Sequence, residues 1–208
     1  MEEPATGIVA PEPVQHLIRL IESLSDVFDH LSLRHAFGGA IANNYWGIVR
    51  TTQDVDCLVL IPGVQYQQVV DELAAQGLVL RDQAGREHPL TVAAMQEQER
   101  ERKLVEIFQR GIRAELFVPF IPLQDEILRR AVPMPFGSRT IPVTTAEDLI
   151  LLKMTFHREK DLIDVRGILW VQRGHLDLQY LRSWSQRMLQ DNTRRELEQS
   201  IGLYHERE

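Results

Sequence analysis

Asp54 and Asp56 stand two residues apart at the head of an apolar run, Asp54-Val-Asp-Cys-Leu-Val-Leu-Ile61, closed by Pro62-Gly63. No other feature constrains the fold of this chain as much. The run reads as a strand, and its period of two puts both carboxylates on one face. Like charges held that close repel, and a bound cation is the natural reason to keep them together. Magnesium, which takes oxygen ligands and commonly combines one or two carboxylates with substrate phosphates, suits such a pair. An isolated Asp-X-Asp is equally compatible with two acids at a solvated strand end.

Upstream, the short apolar stretch His35-Ala36-Phe37 ends in Gly38-Gly39 and leads into a predicted helix over Ala40–Tyr45. Glycines at the start of a helix let a phosphate approach the backbone, where free N–H groups and the helix dipole favour an anion. Between the glycines and the aspartates lie Arg50, Thr51 and Thr52, donors suited to a triphosphate.

The rest of the chain supplies the frame. Val14, Leu17, Ile18, Ile21, Leu24, Val27, Phe28 and Leu31 recur at helical spacing behind Pro13. A helix is expected over Val64–Gln76, stopped by Gly77, and a short strand over Leu78–Arg81. Residues 82–102 show no decisive pattern beyond a solvated face near Glu97–Lys103. Lys103–Gln109 and Ile112–Phe120 flank Arg110-Gly111 as a predicted hairpin. Then follow a helix over Leu123–Ala131 and a strand over Thr140–Val143. Thr144 or Thr145 is expected to cap a helix whose first turn holds Glu147 and Asp148. From there to about residue 202 the chain reads as helical. The expected fold class is α/β (α+β): a small mixed sheet flanked by helices over 1–143, with a helical C-terminal part over 144–208.

The 208 residues carry a formal net charge of -7, which argues against a broad nucleic-acid-binding surface, although Arg129, Arg130, Arg139, Arg194 and Arg195 offer a local basic patch. Cys57 is the one cysteine, so no internal disulfide forms. Residues 1–11 read as a loose tail, Met1–Pro13 lacks the pattern of a secretory signal, and no apolar run reaches the length of a membrane span. The expectation is a cytoplasmic protein with no membrane partner. His35, His88 and His157 lack metal-ligand spacing, and Tyr45, Trp46 and Cys57 read as packing residues.

Taken together, Gly38-Gly39 followed by Gly47-Ile48-Val49-Arg50-Thr51-Thr52-Gln53-Asp54-Val55-Asp56 resembles the nucleotidyltransferase superfamily that includes DNA polymerase beta. It is most similar to the minimal bacterial AbiEii-like toxin nucleotidyltransferases. A second stretch, residues 146–165, is similar to the family's helix with a lysine followed by Lys/Arg-Asp-X-X-Asp; here these are Lys153, Arg158, Lys160, Asp161 and Asp164. The resemblance implies a polymerase-beta-like fold and transfer of a nucleoside monophosphate from an NTP to a hydroxyl on RNA, protein or a small molecule. It implies Mg2+ or Mn2+ as cofactor and, for a toxin, an antitoxin partner. Asp54, Asp56 and a third acid would be catalytic and metal-binding. The third acid is expected to be Glu115, with Glu106 as its rival; relatives more often carry Asp there. Gly38, Gly39, Arg50, Thr51, Thr52, Lys153 and Asp161 would bind the nucleotide. The competing expectation is a non-catalytic nucleotide-binding or protein-interaction module on the same fold.

Overall fold

The computed structural model describes residues 11–205, so the tail expected over 1–11 lies almost wholly outside the described residues. In chain order the elements are α1 (Glu12–His30), β1 (His35–Phe37), α2 (Gly39–Trp46), β2 (Asp54–Val59), α3 (Tyr66–Ala75), β3 (Leu80–Arg81), β4 (Glu87–His88), α4 (Val92–Arg102), β5 (Leu104–Gln109), β6 (Ile112–Phe117), α5 (Pro122–Arg130), β7 (Val132–Phe136), β8 (Arg139–Val143), α6 (Ala146–Phe156), α7 (Glu159–Val171), α8 (Leu178–Met188) and α9 (Asp191–Tyr204).

Six strands form one mixed sheet in the order β5-β6-β2-β1-β8-β7, and β3 and β4 form a separate small ribbon. β2 runs antiparallel to β1 and parallel to β6. The β5–β6 hairpin turns at Arg110 and Gly111, both with positive φ, the conformation that matches a tight turn to the twist of its strands.

Alternation along β2 and β6 separates the two faces of the sheet. Val55, Cys57 and Val59 of β2, with Ala114 and Leu116 of β6, are buried in the core. There they meet α1, which lays Leu20, Leu24, Val27 and Phe28 against these strands and packs on α3. Burial pushes the Cys57 thiol far above its ordinary range, as befits a packing residue. The opposite face carries Asp54, Asp56 and Leu58 beside Arg113, Glu115 and Phe117. It is covered in part by α2 and α5, and the helical C-terminal part joins it through α6 and α7 on α2.

Several elements differ from the sequence expectation. β2 stops at Val59 and β6 at Phe117, short of Ile61 and Phe120, because Pro62 and Pro119 lack the N–H that pairing needs. The undecided stretch 82–102 contains β4 and the whole of α4, whose start Thr91 caps by accepting the N–H of Ala94. β7 was not expected: Val-Pro-Met-Pro-Phe holds two prolines, and it sits at the sheet edge, where proline is tolerated. Thr145, not Thr144, caps α6. No described helix is long and apolar enough to cross a membrane.

Candidate functional site

The site begins with the register of β2 against β6. Asp54 faces Arg113, Asp56 faces Glu115, and Leu58 faces Phe117, so two charged rungs are followed by an apolar one. These side chains line a cavity of about 310 Å³, closed by Gly38 and Gly39 of the β1–α2 turn, by Arg50, and by Lys153, Arg158, Lys160 and Asp161 from α6 and α7.

Gly39 is needed here for two reasons. Its φ of +51° lies in the left-handed region, and a Cβ at this position would run into the Asp56 carboxylate. The glycine turn therefore makes room for an acid as well as opening a helix. Asp56 is crowded electrostatically. Burial, then repulsion from Asp54 and Glu115, raises its carboxyl to about 6, with Lys153 and Lys160 partly opposing the rise. Asp54 behaves oppositely. Burial favours its neutral form, but hydrogen bonds from Arg113 Nη2 at 2.9 Å and Thr52 Oγ1 at 2.9 Å outweigh it and hold the carboxyl below its usual range.

Arg113 is the counter-charge of the acid rungs, with Nη1 3.2 Å from Glu115 and 3.3 Å from Glu106. Glu106 also pairs with Arg102 at 2.8 Å and does not line the cavity, whereas Glu115 does. Among the described residues no three acidic, histidine or cysteine side chains converge into a ready-made metal cage. The donor set still fits a hard divalent cation of the kind that keeps open positions for phosphate oxygens: two neighbouring carboxylates, one of them left with unrelieved repulsion.

The opposite wall is a knot of ion pairs centred on Asp164. Arg50 reaches it with both Nε (3.1 Å) and Nη2 (3.0 Å), and Lys153 Nζ lies 2.6 Å away, buried on α6. Burial would raise the Asp164 carboxyl, but these bonds prevail and keep it below the usual range. Asp161 is buried and accepts from the Arg158 backbone N–H (3.2 Å) and Nε (2.6 Å), and lies 3.9 Å from Lys153. Its oxygens are thus committed to holding cations in place. Lys160 lines the same wall with no ion-pair partner among the described residues.

The loop carrying Arg50 is clamped by Asn44, whose amide accepts the Arg50 N–H and donates to the Arg50 carbonyl, and by Asn43, which donates to the Ile48 carbonyl. The structure thus brings Asp54, Asp56, Glu115, Gly38, Gly39, Arg50, Lys153 and Asp161 to one cavity. Thr51 is exposed and, like Thr52, does not line it; Thr52 serves by fixing Asp54. Asp164 and Arg113 were not counted among the site residues on sequence, although the position of Arg113 two residues before Glu115 puts both on one strand face.

The expected basic patch does not assemble as free charge. Arg129 pairs with Glu126, Arg130 with Glu147 and Asp148, Arg139 with Asp26, and Arg194 with Asp191. Tyr45 and Trp46 donate to the Pro135 and Thr144 carbonyls at 2.7 Å each and anchor α2 to the chain around β7 and β8, outside the cavity lining.

No family model matches the sequence, and no curated protein matches it significantly. Solved structures do share its fold. An antigenic nucleotidyltransferase-like protein from Paracoccidioides brasiliensis superposes with a TM-score of 0.50 at 14% identity, over 94% of this chain and 96% of its own. ANT(2'')-Ia in complex with adenylyl-2''-tobramycin gives 0.52 at 12% identity, over 88% of this chain and 97% of its own. The solution structure of the same antibiotic-resistance factor gives 0.50 at 14% identity, over 83% and 92%. At these identities the likeness establishes a nucleotidyltransferase-like fold: a mixed sheet flanked by helices.

Proposed function

We propose that the chain is a metal-dependent nucleotidyltransferase that moves a nucleoside monophosphate from an NTP to a hydroxyl, releasing pyrophosphate. The observation that carries this reading is the pairing of Asp54–Arg113 and Asp56–Glu115 on one sheet face, opposite a wall of cations. Asp54 and Asp56 would hold the divalent metal, Mg2+ or Mn2+, with Glu115 beside them. Such an ion, when bound, offsets charge on the transferred phosphoryl group and on the departing pyrophosphate. Lys153 and Arg50, which line the cavity, would oppose charge on the triphosphate, and Lys160 and Arg158 extend that wall. Gly38 and Gly39 leave the start of α2 open to phosphate oxygens. Glu115 would take the proton of the attacking hydroxyl.

For the acceptor, the reading favours a small hydroxylated molecule. The net charge is -7, and four of the five arginines expected to form a basic patch are tied to acids, so that patch offers RNA little free positive charge. ANT(2'')-Ia, with which this chain shares its fold, was solved with an adenylylated small molecule. A toxin of the AbiEii type would instead label RNA or protein and answer to an antitoxin.

The test incubates the purified chain with magnesium, each labelled NTP, and either a total-cell small-molecule fraction or a macromolecular fraction, with Asp54→Asn/Asp56→Asn as control. The reading expects pyrophosphate release and label on a small molecule, lost in the control. Label on RNA or protein would keep the reaction and replace the acceptor. NTP binding without pyrophosphate from any fraction would move the chain to the non-catalytic class.

A further inference from the structure

Past Asp56 and Glu115 the cavity changes character. The next rung pairs Leu58 with Phe117, and Ile127, Leu149 and Leu152 from α5 and α6 complete an apolar end. Set into it is Gln124, a polar side chain only 6% exposed that lines the same cavity. Its Oε1 accepts the backbone N–H of Phe120 at 2.9 Å and of Ile121 at 3.3 Å, at the start of α5. Two N–H groups facing one end of the amide settle that this end is the oxygen. The NH2 end has no hydrogen-bond partner among the described residues, and the amide cannot turn to hide it without losing both backbone bonds. The apolar end of the cavity therefore holds one fixed donor.

We infer that this end of the pocket receives the base of the incoming nucleotide and that Gln124 selects it by donating to an exocyclic carbonyl, favouring the keto bases uracil and guanine over cytosine and adenine. The inference rests on the nucleotidyl-transfer reading and adds the substrate class. The base is the one flat, uncharged part of an NTP, and so the part that an apolar slot suits. The slot lies one two-residue step along β2 from Asp56, about 7 Å, a spacing that a ribose spans between phosphate and base. At the exocyclic position where uracil and guanine show a carbonyl oxygen, cytosine and adenine show an amino group. An amino group there would face the Gln124 NH2 with neither group accepting, which a buried site penalises.

Calorimetric titration of UTP, GTP, CTP and ATP in the presence of Mg2+ tests this on the wild-type chain, Gln124→Glu and Gln124→Met, with inorganic tripolyphosphate as a base-free ligand. Glutamate still accepts both backbone N–H groups and suits a helix N-terminus, but shows the pocket an acceptor. The wild-type chain is expected to bind UTP or GTP at least about tenfold more tightly than CTP and ATP. Gln124→Glu should reverse the order, Gln124→Met should flatten it, and tripolyphosphate should bind all three alike. Gln124→Met carries the test alone if the buried carboxylate prevents folding. Equal wild-type affinity for the four NTPs, or a preference unchanged in the variants, overturns the inference. A wild-type chain that binds tripolyphosphate and NTPs not at all would instead overturn the nucleotidyl-transfer reading beneath it.

Discussion

The two walls of the cavity are built in opposite ways. On the sheet, Asp54, Asp56 and Glu115 outnumber Arg113, and Asp56, buried and repelled by the other two acids, has its carboxyl raised to about 6. On the other side, Arg50 from the loop after α2 and Lys153, Arg158 and Lys160 from the helical part outnumber Asp161 and Asp164, and the Asp164 carboxyl is held below its usual range. One wall lacks positive charge and the other lacks negative charge. Across the cavity Lys153 and Lys160 offset the Asp56 charge only in part, and no ion pair among the described residues bridges the two walls. In the proposed reading a metal with a polyphosphate would carry both missing charges, so a single ligand would complete both walls. The lesson is that unrelieved electrostatics, more than any one residue, marks the face of the sheet where the chemistry belongs.

The largest expected break in this comparison is Asp54→Asn. Turnover in the labelling assay should fall by about a thousandfold or more, as when a transition-state charge contact is lost, while circular dichroism stays unchanged. Unchanged turnover would remove the metal role from the sheet wall.

Lys153→Met attacks the helix wall and should act first on stability. Lys153 is buried and lies 2.6 Å from Asp164, so its loss leaves that buried carboxylate to Arg50 alone and should cost about 1–3 kcal/mol. Chemical denaturation reads this directly. A change below about 1 kcal/mol would mean that the knot behaves like a surface ion pair.

Asp56→Asn should do the reverse in the metal-free protein. An acid whose folded-state pKa is raised is best accommodated when protonated, so its cost to stability appears as pH climbs through about 6. The variant should therefore be more stable than wild type by about 1–3 kcal/mol above pH 7 and equal to it near pH 4. Asp54→Asn should show no such gain, because Arg113 and Thr52 already satisfy that carboxylate. Stabilisation of both variants, or of neither, would blur the distinction between the two aspartates.

The same contrast explains what could be read from sequence. The sheet wall was legible because a strand has a strict period of two: Asp54 with Asp56, and Arg113 with Glu115, share a face whatever the tertiary fold. The helix wall was legible only as a resemblance. Lys153, Asp161 and Asp164 were named, but the long-range bond between Arg50 and Asp164, 114 positions apart, depends on how α7 docks against the loop after α2. β7 escaped because prolines mask an edge strand, and α4 because its charged surface has almost no apolar stripe. Gln124 left only a faint signal, as the third residue of a helix opened by Pro122, a usual place to cap backbone N–H groups. That its other end meets a cavity is a tertiary fact.

The most direct test of the complementary walls is calorimetric titration of UTP or GTP with and without Mg2+, on the wild-type chain and on Asp54→Asn/Asp56→Asn. Magnesium should tighten nucleotide binding by at least about tenfold in the wild type and leave the double variant unchanged. Nucleotide affinity that is the same with and without magnesium in the wild-type chain would contradict the account.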